Sequence, residues 1–396
     1  MLAASALLPA AAAGSRLAPG LWRGAAWDGA GRIRCAGVGA RGLSSDAAAG
    51  NKRGLEVPVI DISSLVAKQG DITPETPAVR LIADACRKWG FFQAVNHAVP
   101  EDVMERLDRE QRAFFARESE WKRRIKRTEQ NSRGFFDDEL TKQTRDFKEG
   151  FDFGAQDGDL AGRSVVDGYN QWPEGEEGFR RACEDYYNHL TGLSRVLLGA
   201  MSVGMGQPRG FFDWQFKAHS SFLRLNYYPV CPNPVGADFP VRSPGEQEGV
   251  LGVNRHADAG LVTILRQRHD EPHSLQVYKS TRLSGRLVDH DDEEGEWVTV
   301  EPVPGAFTIN IGDMMQVYSN DKYVAPLHRV LGNSSQTRFS APYFFNPPYE
   351  ANCAPVDSLG SPVFQPVNWG KFRHARFAGD YADVGPEVQI SAYRVV

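Results

Sequence analysis

Two histidines and one aspartate are the residues here whose types and spacing suggest chemistry. The first two lie in VNRHADAGLVT, residues 253–263, where His256 and Asp258 stand two apart inside an apolar run. On a β-strand, residues so spaced project from one face. Burying an imidazole or a carboxylate without a partner is costly, so the pair implies something for it to hold. A second histidine, His328, sits in the strand-like segment Leu327-His328-Arg329-Val330. Two His and one carboxylate on a β scaffold are the ligand set of the facial triad, which binds non-haem Fe(II) and leaves positions open for substrate and dioxygen. The H-x-D spacing is weak alone. His269, His273 and His290 lie in or beside a polar excursion and His374 in the C-terminal tail, and none of these is read as part of the site.

What strengthens the triad is its company. Ten residues beyond His328, in TRFSAPYFF, Arg338 and Ser340 again share a strand face. A guanidinium fork matches a carboxylate in bidentate geometry, and a hydroxyl beside it adds a donor. Upstream, in FLRLNYYP, alternation separates Leu223, Leu225 and Tyr227 from Arg224, Asn226 and Tyr228. The amide and phenol of that polar face are placed to contact the other end of the same acid or the metal site. A buried Arg with no anion would be expensive, so a carboxylate ligand near the metal is implied.

The elements that must position these groups change character along the chain. VPVIDISSL (57–65) reads as a strand entering a loop. Thr76-Pro77 then reads as an N-cap with proline at the first helical position, and Gly90 as the stop. FFQAVNH (91–97) is strand-like. A helix carrying Val103, Met104, Leu107, Phe114 and Phe115 follows, and another from Phe179 to about Met201 shows the three-and-four spacing of a buried face. From residue 219 onward, eight short apolar segments alternate with turns: FLRLNYY, VLGVNRH, GLVTILRQ, SLQVY, WVTVEP, AFTINI, MMQVYS and FSAPYFF. That texture predicts a sandwich or jelly roll. Residues 279–296 read as a solvated excursion between two strands. The tail from about Val356 has no assignable pattern.

Composition bounds the partners. The 396 residues are 41% hydrophobic and 24% charged, as in a globular protein, and the net charge of −5 gives no reason to expect nucleic acid or an anionic membrane. No apolar run approaches a membrane helix. The five cysteines form no C-x-x-C pair and read as small buried hydrophobes. The first fifty residues contain five Arg, no Lys and only Asp28 and Asp46 as acids, the profile of a mitochondrial or plastid transit peptide; an untargeted, cytoplasmic chain with a disordered tail is the alternative.

The whole set of motifs resembles the 2-oxoglutarate- and Fe(II)-dependent dioxygenases, in the plant-type branch that includes isopenicillin N synthase and the flavonoid and gibberellin oxidases. The matching pieces are VPVIDISSL, CRKWGFFQAVNHAVP, FLRLNYYPVCPNP, HADAGLVTIL, SLQVY, WVTVEPVPGAFTINIGDMMQVYSNDKYVAPLHRVL and TRFSAPYFFNP, in family order over roughly residues 55–350. The resemblance implies an α+β protein with a double-stranded β-helix core at 219–350. A helical N-terminal region at 55–210 packs on it, residues 1–50 precede the fold, and a tail occupies 351–396. By the same resemblance His256, Asp258 and His328 bind Fe(II), and Arg338, Ser340 and Tyr228 bind 2-oxoglutarate, with Asn226 a further candidate. No catalytic residue is expected beyond the metal centre. Dioxygen is the co-reactant and ascorbate an expected auxiliary. The implied reaction couples decarboxylation of 2-oxoglutarate to succinate with hydroxylation, desaturation or ring closure of a small molecule, by a monomer.

The sequence departs from the family pattern at Asn254-Arg255, at His273-Ser274 and in the 279–296 excursion, which border the family's substrate pocket. Phe135, Phe136, Phe151, Phe153 and Phe345 read as core, with a substrate-pocket wall as the alternative. Two rivals stand beside this reading: an oxidase of the same fold that needs no 2-oxoglutarate, and a non-catalytic metal-binding jelly roll. Succinate formation separates the three. Hydrophobic periodicity is absent before the first strand signal near Val57, so deletion of residues 1–48 is expected to leave folding and turnover intact. Loss of soluble, active protein on that deletion would contradict the boundary.

Overall fold

The computed structural model describes residues 55–67, 72–142, 144–155, 168–236, 249–280, 295–381 and 387–395. The segment 1–50 and nearly all of the 279–296 excursion lie outside them. In chain order the main elements are β1 (Val59–Asp61), α1 (Pro77–Lys88), β2 (Phe91–Val95), α2 (Glu101–Phe115), β3 (Gly134–Phe136), β4 (Glu149–Gly154) and the long α3 (Glu177–Gly204). Then come β5 (Phe222–Tyr228), β6 (Leu251–His256), β7 (Val262–Arg266), β8 (Leu275–Lys279), β9 (Glu296–Thr299) and β10 (Phe307–Ile311). The chain finishes with α4 (Asp313–Tyr318), β11 (His328–Leu331), β12 (Arg338–Phe345) and α5 (Trp369–Tyr381).

The strands form an eight-stranded sheet in the order β1-β2-β10-β7-β12-β5-β4-β3 and a four-stranded sheet in the order β9-β8-β11-β6. Apart from the parallel β1–β2 pair, the pairings in these two sheets are antiparallel. Period-two alternation sorts the large sheet's side chains onto two faces. Phe92, Leu223, Leu225, Ile264, Ile309 and Tyr343 join the buried faces of α1, α2 and α3 in one core. Phe91, Tyr228 and Leu265 point the other way and pack with Val253, Leu275, Val277 and Val330 of the small sheet. Helices, large sheet and small sheet thus form three layers around a jelly-roll core, the α+β architecture expected.

Local chemistry explains the helix ends. Thr76 occupies the N-cap of α1 and Pro77 its first turn, but the Thr76 hydroxyl accepts from the Thr73 N–H (3.2 Å) rather than capping the helix itself. Gly90 ends the turn at φ +64°, where a Cβ would lie 2.3 Å from the Val324 carbonyl, so only glycine fits.

Three expectations change. MMQVYS is not a strand: it lies in α4, which is buried on every side. An apolar run of that length has no readable period. The chain turns there because Gly312 is pressed on the 258–260 loop, where a Cβ would lie 2.4 Å from the Gly260 carbonyl. The free N–H groups of Asp313 and Met314 then donate to the carbonyls of Asp258 (2.7 Å) and Gly260 (3.0 Å). In the N-terminal region β1 and β2 are the strands expected from VPVIDISSL and FFQAVNH, while β3 and β4 are unexpected strands that extend the large sheet at its other end. The tail holds a thirteen-residue helix, α5.

Leu190 is fully buried on the inner stripe of α3. Its replacement by alanine leaves a cavity in the core that this helix shares with α1, α2 and the large sheet. Leu190→Ala is expected to lower stability by about 2–5 kcal/mol in urea unfolding while metal affinity stays at the wild-type value. A change below about 0.5 kcal/mol, ordinary for a surface position, would show that this stripe is not the core contact.

Candidate metal centre and cosubstrate pocket

Both histidines of the triad belong to the small sheet, where His328 pairs with His256 across β11 and β6. Their ring centroids are 4.3 Å apart. β6 ends at His256, so Asp258 is not on the strand as the i, i+2 spacing predicts. It sits in the following loop, held by the α4 amides just described, and reaches the same point by that bend. The ligand atoms of His256, Asp258 and His328 lie within 4.8 Å of one another. No other such cluster of His, Cys, Asp or Glu occurs among the described residues.

The orientation of each group is fixed from behind. His256 Nδ1 donates to the Asn254 carbonyl (2.8 Å) and His328 Nδ1 to the Pro326 carbonyl (3.2 Å). A carbonyl only accepts, so Nδ1 carries the proton and both Nε2 lone pairs face inward. Asp258 Oδ2 accepts from Thr263 Oγ1 and from Asn310 Nδ2 (2.8 Å). Its Oδ1 stands 3.5 Å from His256 Nε2 and 3.6 Å from His328 Nε2. Burial would raise the Asp258 carboxyl, but the electrostatic pull of His328 and His256 and the hydrogen bond from Asn310 hold it well below the usual carboxylate range. Burial, aided by the neighbouring His256, pushes His328 down to about 4 against the pull of Asp258, so His328 is the neutral imidazole a metal requires at neutral pH. Three inward lone pairs then converge with no proton between them. A divalent cation is what resolves that repulsion, and a two-His, one-carboxylate donor set fits Fe(II).

The four cosubstrate candidates lie on the large sheet opposite. β5 and β12 are paired so that Arg338 faces Tyr228 and Ser340 faces Asn226, which makes a two-by-two polar block. Arg338 Nη2 donates to Gln267 Oε1 (2.9 Å), and Gln267 Nε2 donates to Thr308 Oγ1 (3.1 Å). Arg338 Nη1 is buried without a partner, and its guanidinium carbon lies 4.9 Å from the Tyr228 ring centre. Asn226 Nδ2 donates to Ser340 Oγ (3.2 Å), leaving the serine proton free to be given elsewhere. A cavity of about 70 Å³ is lined by Asn226, Tyr228, Arg338 and Ser340 together with His256, Asp258 and His328. The orphaned Nη1 in a cavity shared with the triad is the fit a carboxylate-ended cosubstrate would complete.

A second cavity, of about 100 Å³, shares His256 and Asp258 and is lined also by Phe222, Phe344, Trp369, Arg224, Arg373 and Glu387. Arg224 and Lys148 line both cavities. Both are ion-paired: Arg224 with Asp152 (2.8 Å) and Glu139 (2.9 Å), Lys148 with Glu139 (2.6 Å) and Asp146 (2.9 Å). Phe135, Phe136, Phe151, Phe153 and Phe345 line neither cavity and are core. The sequence reading missed Thr263, Asn310 and Gln267, although strand alternation aims the first two at the inner face. It also missed Lys148, Trp369 and Glu387, for which no sequence signal existed.

A jelly roll that carries a His-Asp-His centre beside an arginine-ended cavity defines a non-haem iron oxygenase. Residues 57–175 match the family model for the non-haem dioxygenase in morphine synthesis N-terminal, and residues 219–347 that for the 2OG-Fe(II) oxygenase superfamily. The chain is 31% identical over 339 residues to Protein DMR6-LIKE OXYGENASE 2 of Arabidopsis thaliana, covering 83% of this chain and 84% of that one. It is 32% identical over 348 residues to Homoarginine-6-hydroxylase 2-ODD-C23 of Glycine max, covering 83% and 98%. A crystal structure of JOX2 in complex with 2OG, Fe, and JA superposes with a TM-score of 0.66 at 26% identity, over 86% of this chain and 90% of that one. The chain belongs to the 2OG-Fe(II) oxygenase superfamily and is an Fe(II)- and 2-oxoglutarate-dependent dioxygenase.

Thr263 and Asn310 support the metal only through Asp258 Oδ2. Asn310→Ala is therefore expected to weaken Fe(II) affinity about tenfold to a hundredfold with the fold intact, read by anaerobic equilibrium dialysis. Wild-type affinity in that variant would mean that Asp258 needs no anchoring.

Proposed function

We propose that His256, Asp258 and His328 hold the iron, that Arg338 and Ser340 hold the distal carboxylate of 2-oxoglutarate, and that a small metabolite is oxidised in the second cavity. The observation that carries this reading is the buried, unpartnered Nη1 of Arg338 in the cavity that also contains the triad. Bound there, the metal and 2-oxoglutarate supply the oxidising chemistry, with succinate and carbon dioxide released. The protein's own groups orient and exclude. Gln267 fixes the Arg338 fork, Asn226 positions Ser340 so that its hydroxyl donates outward, and Tyr228 forms the wall beneath the guanidinium. The apolar residues Phe91, Leu265 and Leu275 line the same cavity and keep water from it.

The lining of the second cavity, Arg224, Arg373 and Glu387 beside Phe222, Phe344 and Trp369, supports a substrate with polar as well as apolar parts. Relatives named as a homoarginine hydroxylase and as Gibberellin 20 oxidase 1 are in keeping with a metabolite-sized substrate. A monomer acting on a free small molecule is the simplest reading. No helix among the described residues is long and apolar enough to cross a membrane, and the net charge is −5. The Arg-rich, acid-poor residues 1–50 support delivery to a mitochondrion or plastid, which a fluorescent fusion of that segment tests.

Lysine at 338 keeps the charge and loses the fork. A lost charged hydrogen bond is about 1.5–3 kcal/mol, so Arg338→Lys should raise the 2-oxoglutarate concentration for half-maximal succinate release about tenfold to a hundredfold. Fe(II) affinity should stay unchanged. An unaltered 2-oxoglutarate requirement would remove Arg338 from the cosubstrate site. Oxygen consumption with ascorbate and no succinate from the wild type would replace the cosubstrate reading with that of a 2-oxoglutarate-independent oxidase.

A further inference from the structure

The C-terminal helix reaches back to the metal loop through one side chain. Arg376 of α5 is buried, and its Nη2 donates to the carbonyl of Ala257 at 2.9 Å. Ala257 lies between His256 and Asp258, and its carbonyl belongs to the peptide that leads directly into Asp258. The next carbonyls of this loop are held by α4 amides: Asp258 O by Asp313 N (2.7 Å), and Ala259 O and Gly260 O by Met314 N (3.3 and 3.0 Å). Ala257 O takes its hydrogen bond from a side chain more than a hundred residues away in sequence.

Arg376 is itself fixed on several sides. Asp313 Oδ2 lies 3.7 Å from its Nη1 and Glu387 Oε2 3.6 Å from its Nε. The Val388 carbonyl and Gln389 Oε1 each lie 3.5 Å from Nη1. Asp313 therefore holds the loop twice, by its backbone N–H to Asp258 and by its carboxylate to Arg376. The path Asp258–Asp313–Arg376–Ala257 closes a ring around the ligand peptide. Trp369, Arg373, Arg376 and Glu387 of the same C-terminal segment line the second cavity. The segment that walls that cavity is thus the one that fixes the ligand peptide.

We infer that Arg376 is a positioning residue for the metal centre, coupling the docked C-terminal segment to the ligand geometry of His256 and Asp258. This rests on the triad being the metal site. It goes beyond that reading by making metal affinity depend on a helix that supplies no ligand. The effect passes through a hydrogen bond to the backbone rather than a contact with metal or substrate, so it should appear in metal binding before any turnover.

The test uses the full chain and Co(II) as the probe, with dissociation constant and ligand-field absorption spectrum measured without oxygen. Arg376→Met is expected to weaken Co(II) about tenfold to a hundredfold and to alter the spectrum, the size of effect typical of groups one shell out from a ligand. Arg376→Lys, which cannot span the same partners, should recover only part of the loss. Arg394→Met is the control. Arg394 ties the same segment to Asp321 (2.6 Å) without touching the metal loop, so this variant should bind Co(II) as the wild type does. Glu387→Gln, which loosens Arg376 from the far side, should show a smaller loss in the same direction and decides the matter if Arg376→Met does not fold. Wild-type affinity and spectrum in the Arg376 and Glu387 variants would overturn the inference. So would equal losses in Arg376→Met and Arg394→Met, which would mark general docking of the segment. His256→Ala separates the premise: undiminished Co(II) binding there would sink the triad reading itself.

Discussion

The structure is organised around a carboxylate that cannot be left alone. Asp258 is buried, one oxygen is saturated by Thr263 and Asn310, and the other faces two imidazole lone pairs at 3.5 and 3.6 Å. A buried anion that remains ionised demands a cation. Its position then dictates much of the surrounding architecture. The α4 amides hold its backbone, β7 and β10 bring Thr263 and Asn310, and β6 and β11 bring the histidines. The small sheet carries His256 and His328, the large sheet the polar block of Tyr228, Asn226, Arg338 and Ser340, and one cavity between them is lined by both.

That arrangement follows from alternation more than from any single motif. Along β5, β7, β10 and β12 the residues facing α1, α2 and α3 are apolar except Arg266, whereas the opposite face mixes Phe222, Tyr228, Leu265, Pro342 and Phe344 with Arg224, Asn226, Thr263, Thr308, Asn310, Arg338 and Ser340. A sheet with so polar an inner face would be a poor core. It is tolerable because those polar groups are hydrogen-bonded to one another or to Asp152, Glu139, Asp258 and Gln267, with Asn226 Oδ1 and Arg338 Nη1 left unpartnered. The ionic network of Glu139, Lys148, Asp146, Arg224 and Asp152 extends the same logic to the second cavity. Burial would raise the Glu139 carboxyl, but Arg224, Lys148 and Arg127 hold it ionised. Charges there are balanced within the protein.

Much of this was legible before any coordinates. His256, the distal histidine and R-x-S mark the inner face because strand periodicity is short-range and survives in the sequence. The jelly roll was legible for the same reason, through seven of the eight apolar segments. MMQVYS misled because a helix buried on all sides has no polar face to reveal its period. The placement of Asp258 was right and its stated cause was wrong: the loop bends under contacts from α4, and such long-range contacts leave no local trace. Arg376 and Glu387 were invisible for the same reason, since each acts across a tertiary interface from a segment with no pattern.

The central claim is that Asp258 Oδ1 and the two Nε2 atoms hold one metal facing a cosubstrate bound by Arg338. The most direct test is a crystal structure with Mn(II) and 2-oxoglutarate, using anomalous scattering to place the metal. The expected result is a single peak within bonding distance of His256 Nε2, His328 Nε2 and Asp258 Oδ1, with a 2-oxoglutarate carboxylate on Arg338 Nη1 and Ser340 Oγ. A metal bound through Asp258 Oδ2 or an imidazole Nδ1, or a cosubstrate that leaves Arg338 Nη1 unpaired, would contradict it.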